Sequence, residues 1–174
     1  VAPLTGPLAS FGDGTPYIEE KAVEKLNEEG GIYIEELDKK LPIKFIVMDS
    51  ESDTTKAAEA ANKLILEDKV DLMIVSHTAD TVNPVSAACE RYKIPCISVD
   101  APVDAWLQGG PYEYSYHAFF TTEGELNCFI DAWDLVDTNK KVGLLAPNDA
   151  EGIAFASDMA KHAEARGYEV VDPG

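Results

Sequence analysis

An α/β fold built on a doubly wound parallel sheet is predicted by three features of this sequence. Short apolar runs rich in branched residues, at residues 43–48 (IKFIVM), 70–75 (VDLMIV) and 94–99 (IPCISV), read as strands covered on both faces. The segments between them repeat apolar residues at three and four positions, the period of a helix with one buried face. Strand and helix alternate about every thirty residues, as in right-handed βαβ units.

Taken in order, Val1 and Ala2 form the end of a strand, and Pro3, Gly6 and Pro7 turn the chain into a helix with apolar positions at Ile18, Ala22, Val23 and Leu26. Pro16 suits its first turn and Gly30 its stop. After the strand at 43–48 comes a polar turn, Asp49, Ser50, Ser52 and Asp53, in which Asp53 caps a helix marked by Ala57, Ala58, Ala61, Leu64 and Ile65. The strand at 70–75 leads through SHTADT into a helix over 81–92, and the strand at 94–99 into DAPVDAW. Gly109, Gly110 and Pro111 interrupt the rhythm, and the alternation in 112–118 (YEYSYHA) predicts a strand that carries the chain towards a second unit. Thr122 and Glu125 form a capping box before a helix through Phe129, Ile130, Trp133 and Val136. A buried strand over 142–146, a helix over 150–166 stopped by Gly167, and a further strand at 168–171 complete the series. A composition shift at 119–123 marks the boundary, with residues 1–120 as one lobe and 121–174 as the start of another.

Composition removes several functional classes. At 174 residues and 45% hydrophobic content the chain is long enough for a real core. A formal net charge of −18 argues against nucleic acid and anionic membrane surfaces as partners, and favours a solvated acidic surface. The apolar runs are far too short to span a bilayer. Cys89, Cys96 and Cys128 are an odd count without CxxC spacing, so neither a disulfide framework nor a zinc site is expected. Cys96 reads as a small buried hydrophobe, and a Cys89–Cys96 bridge in an oxidising compartment depends on a distance that sequence does not supply. His77, His117 and His162 lie far apart with no partner at metal-ligand spacing. Gly-x-Ser-x-Gly, GxxxxGK and GxGxxG are all absent, and Ser76-His77 adjacency rarely lets imidazole act on the neighbouring hydroxyl. A non-catalytic protein without cofactor or metal is therefore expected.

In an open α/β sheet, ligands bind at the carboxyl ends of the strands. Four such ends converge here: residues 4–14, 76–81, 100–102 and 119–122. His77 follows a buried strand directly and so points towards the crevice. The helix after it aims unpaired N–H groups at the same loop, where a ligand acceptor would find donors.

The APLTGP stretch of residues 2–7, the Phe11-Gly12 pair, Gly30-Gly31-Ile32, and then MDSESDTTKAAEAANKLI, DLMIVSH and IPCISVDAP resemble the branched-chain amino-acid (Leu/Ile/Val) type of periplasmic binding protein, the solute receptors of a group of ABC importers. This resemblance implies a type I periplasmic-binding-protein fold present as a partial chain, the first part of the N-terminal lobe followed by the opening of the second. It also implies an extracytoplasmic location, further residues and a signal peptide upstream, and ABC permease and ATPase subunits as partners. A hydroxyl residue holding the ligand carboxylate would fall on Thr78, Asp80 or Thr81, around Ala79. Phe11 would be an aromatic wall, and Phe119 would lie at the last strand end. Where the family shows small-small-Thr, this chain has Asp100-Ala101-Pro102: proline offers neither N–H nor hydroxyl, and Asp100 would repel a carboxylate. In the turn Asn148-Asp149-Ala150-Glu151, Ala150 and Glu151 stand where the family often has an aromatic, and Asn148 or Asp149 serves as a helix cap. The expected ligand is thus a small polar solute that supplies hydrogen-bond donors rather than an ordinary leucine-type amino acid. Other readings are an amide-sensing or receptor-type ligand domain of the same fold and, from a different class, a receiver-like signalling domain phosphorylated at Asp49.

Overall fold

The computed structural model describes residues 1–148 and 150–171, with Ala150 as backbone alone. The opening turn holds a short helix α1 (Ala9–Gly12) and then α2 (Thr15–Glu28), with proline in its first turn as the sequence predicts. An antiparallel hairpin that the sequence reading did not anticipate follows, β1 (Ile32–Ile34) with β2 (Lys39–Leu41), paired Ile32 to Leu41 and closed through Asp38 in the left-handed region. Gly31 admits no side chain there: at φ +88 a Cβ would lie 1.8 Å from the Leu41 carbonyl oxygen.

The Asp53 carboxylate accepts the Lys56 N–H at 2.9 Å and starts α3 (Thr54–Leu66), as expected. Next come β3 (Met73–Ser76), α4 (Ala79–Tyr92), β4 (Cys96–Val99), a short α5 (Val103–Leu107) to which the sequence assigned no element, and β5 (Ser115–Ala118). The strands β3, β4 and β5 form one parallel sheet in that order, Met73 beside Cys96 and Cys96 beside Ser115. The alanine stripe Ala57, Ala60 and Ala61 on α3 allows close packing on α4, and Leu64, Val75, Val82, Val85, Cys89 and Cys96 complete the core beneath. Each buried Leu or Val side chain contributes about 1.5–3 kcal/mol. Cys89 and Cys96 are free, fully buried thiols. A hydrogen bond to Cys96 and burial push the Cys89 thiol far up. Trp106 lies between Tyr112 (ring centroids 4.3 Å) and His117 (5.0 Å), and its indole N–H donates to Ser86 Oγ at 3.3 Å.

The predicted strand over 43–48 is not a regular strand. Val1 and Ala2 lie between this segment and β3: Ala2 N–H donates to Met48 O (3.2 Å), Ser50 N–H to Ala2 O (3.0 Å) and Ser76 N–H to Val1 O (3.3 Å). The segment joins Val1 and Ala2 through the parallel bridge Ala2–Asp49.

A second hydrophobic cluster lies further along the chain. It is built from α6 (Thr122–Asp134), α7 (Ala150–Ala165) and the parallel pair β6 (Lys141–Gly143) and β7 (Glu169–Val171), around Leu126, Ile130, Met159, Ala163 and Tyr168. The expected capping box of Thr122 and Glu125 gives way to a simple cap one residue earlier. Thr121 is the cap, accepting the Gly124 N–H at 3.0 Å, because Thr122 is drawn to Asp104, giving its N–H (2.7 Å) and hydroxyl (2.6 Å) to that carboxylate. The strand expected over 142–146 ends at Gly143, and Leu145 is 97% exposed.

Candidate functional site

Past the ends of β3 and β4 the backbones stay paired, His77 N–H on Val99 O at 3.3 Å and Thr78 N–H on Asp100 O at 3.1 Å. All three residues at this edge have positive φ: His77 +68°, Thr78 +58° and Asp100 +65°. For a β-branched threonine such a backbone costs on the order of 1–3 kcal/mol, and strain of this kind gathers at ligand-binding edges. It turns these side chains into a cavity of about 430 Å³.

The cavity walls come from separated parts of the chain. Phe11, His77, Thr78, Asp100, Pro102, Phe119, Phe120, Glu125 and Glu151 line it. His77 is anchored by Thr15, with Nε2 2.9 Å from the hydroxyl, and its Nδ1 lies 3.5 Å from the Asp100 carboxylate. Burial lowers the imidazole below its ordinary value despite the opposing pull of Asp100, so it is neutral near pH 7. Phe11 tilts at 38° to the His77 ring, and Phe119 packs against Phe120 with centroids 3.9 Å apart. The Ala79 N–H, in the first turn of α4, donates to Glu151 Oε1 at 2.5 Å, so the first turn of α7 meets the start of α4. The Thr78 hydroxyl is buried and has no hydrogen-bond partner among the described residues.

Several expected residues lie elsewhere. Because α4 begins at Ala79, two residues before the expected start, Thr81 turns inward and is 2% exposed, while Asp80 lines a smaller groove with Asn83 and Gln108. Ala101 is fully buried, with its carbonyl 2.6 Å from His117 Nε2. Asn148 is exposed and outside the cavity wall, and Asp149 lies outside the described residues. Two wall residues were missed. Phe120 had its signal in the aromatic pair at the strand end, whereas Glu125 was read only as half of a capping box. Burial raises the Glu125 carboxyl above its ordinary value. Asp49 receives N–H groups of Leu4 (2.8 Å) and Glu51 (2.7 Å) and the Thr5 hydroxyl (2.6 Å), so it holds the opening loop. Among the described residues, no group of three His, Cys, Asp or Glu side chains is arranged to hold a metal ion.

The periplasmic binding protein family matches the sequence over residues 1–174. The chain belongs to this family. A relative of this binding protein, the Leu/Ile/Val-binding protein homolog 3 of Brucella melitensis, is 36% identical over 86 residues, 49% of this chain and 22% of the relative. Among solved structures, the branched-chain amino acid transporter substrate-binding protein LivJ of Streptococcus pneumoniae, in complex with isoleucine, matches with a TM-score of 0.77 at 24% identity, over 98% of this chain and 46% of that one. The ABC-transporter solute-binding protein of Rhodopseudomonas palustris BisB5, in complex with 3,4-dihydroxybenzoic acid, matches with a TM-score of 0.74 at 22% identity, over 98% of this chain and 44% of that one. These likenesses establish the type I fold and bear out the resemblance seen in APLTGP and the motifs after it. The binding-protein chain spans less than half the length of these solved structures, and its match covers 22% of the curated relative.

Proposed function

We propose that the chain forms the cleft of an extracytoplasmic solute receptor serving ABC-type import, with residues 1–120 in the N-terminal lobe and 121–174 opening the second. The observation that carries this reading is the 430 Å³ cavity whose walls combine His77, Thr78 and Asp100 of the first part with Glu151 of the second. A small polar solute seated there touches both parts at once, and those shared contacts supply the free energy that favours the closed form. A membrane permease with its ATPase reads that closed form. The receptor works by binding alone, without chemistry on the solute. Membership of the periplasmic binding protein family over residues 1–174 supports this role, as does the similarity to proteins whose complexes hold isoleucine and 3,4-dihydroxybenzoic acid.

The test is a thermal-shift screen of the intact protein against amino acids, amides, amines, aromatic acids and sugars. A solute at about a hundred times its dissociation constant adds about 2.7 kcal/mol of stability. A saturable rise for one solute class, with a reduction in radius of gyration on binding, is the expected result. A flat response across all classes would overturn the reading.

A further inference from the structure

The cavity carries a specific charge pattern. Among the described residues, its walls hold the carboxylates of Asp100, Glu125 and Glu151 and no lysine or arginine, while His77 is neutral near pH 7. Its apolar surface is aromatic, from Phe11, Phe119 and Phe120. An anion seat beside the cavity, the N-terminus of the 14-residue helix α4, is already filled by Glu151 through the Ala79 N–H. A solute carboxylate would have to expel Glu151 and then sit among like charges. An ammonium group instead meets carboxylates and aromatic rings, both of which attract a cation.

We propose that the solute is an organic cation without a carboxylate, an amine or quaternary ammonium, and that Glu151 excludes carboxylates by occupying the end of α4 in their place. This rests on the receptor reading above and names the solute class of the same cavity. Thr78 lines the same wall, and its hydroxyl has no hydrogen-bond partner among the described residues.

The test uses putrescine and choline against leucine and 4-hydroxybenzoate, with calorimetric titration and thermal shift of the intact protein. In the wild type at least one of the two cations binds saturably and neither carboxylate does. Glu151→Ala should weaken the cation about tenfold and admit a carboxylate with about a tenfold gain, each about 1.4 kcal/mol. Glu151→Gln keeps the acceptor opposite Ala79 but loses the charge, so it should weaken the cation and still exclude carboxylates; it serves as the test should Glu151→Ala fail to fold. Tighter binding of leucine or 4-hydroxybenzoate than of either cation to the wild type would overturn the inference and leave the receptor reading standing. The same holds if neutral amides or sugars from the wider screen are the only solutes to bind. A flat response to every class would remove the receptor reading and this inference with it.

Discussion

Thr5 gives both its hydroxyl (2.6 Å) and its N–H (3.3 Å) to the carboxylate of Asp49, 44 residues away in the chain. With Leu4 and Glu51 donating to the same group, the turn after residues 43–48 is bound to the loop that carries Phe11 to the cavity. Asp49→Ala should cost about 1.5–3 kcal/mol, the range for hydrogen bonds to a charged group, and should weaken solute binding by loosening Phe11. Denaturant unfolding and solute titration of the variant check both effects. Acetyl phosphate should leave Asp49 unmodified by mass measurement, since its oxygens are engaged by these donors.

Acid should act in two stages. Burial lowers His77 from its ordinary 6.5 despite Asp100, so the unfolded chain takes up this proton first, and stability falls as pH drops from about 6.5 to the folded value, then levels. For Asp49 and Asp104, burial opposes ionisation, but the hydrogen bonds from Thr5, Glu51 and Leu4 and from Thr122 outweigh it and hold both carboxyls below the ordinary 3.8. Their contribution is present above about 3.8 and is lost as pH falls through the folded values. His77→Gln should erase the first stage and leave the second, which melting temperatures between pH 8 and 3 would show.

Leu64 and Leu126 are fully buried, one in each hydrophobic cluster. Truncation of either to alanine should cost about 2–5 kcal/mol through lost transfer energy and the cavity left behind. Chemical unfolding curves of the two variants provide the measurement.

Gly31 and Gly30 separate two kinds of glycine requirement. Both have positive φ, but an added Cβ at Gly31 meets the Leu41 carbonyl at 1.8 Å, whereas at Gly30 the nearest atom is the flexible Lys40 side chain at 3.4 Å. Gly31→Ala should therefore destabilise by more than about 1 kcal/mol and expose the amides of β1 and β2 to hydrogen exchange, with Gly30→Ala the milder change.

Much of the fold was legible because its signals are local. Asp53 before an alanine stripe, Pro16 in a first turn, Gly167 after an apolar helix and the runs ending at Val75 and Val99 each act within a few residues. The failures depend on distant partners. The run at 43–48 carries strand propensity, but its pairing is with Val1 and Ala2, far away in the sequence. Thr122 fits a capping box until Asp104 competes for it. In the cavity, His77, Asp100 and Pro102 were readable from their place after strands, and Phe11 from the family pattern. The inward turn of Thr81 was not, since it follows from where α4 starts. Glu125 was hidden by having a second, local explanation.

The sequence holds two tryptophans, and they fall in different clusters: Trp106 stacked on Tyr112, and Trp133 beside Tyr168 with centroids 5.5 Å apart. Trp106 also gives its backbone N–H to the carbonyl of Pro102, a residue of the cavity wall. The chain thereby contains its own pair of optical labels. With Trp133→Phe, the emission of Trp106 follows occupancy of the crevice through Pro102. With Trp106→Phe, that of Trp133 follows the packing of α6 against Tyr168, so cleft filling and loss of the second cluster can be timed separately without an added dye.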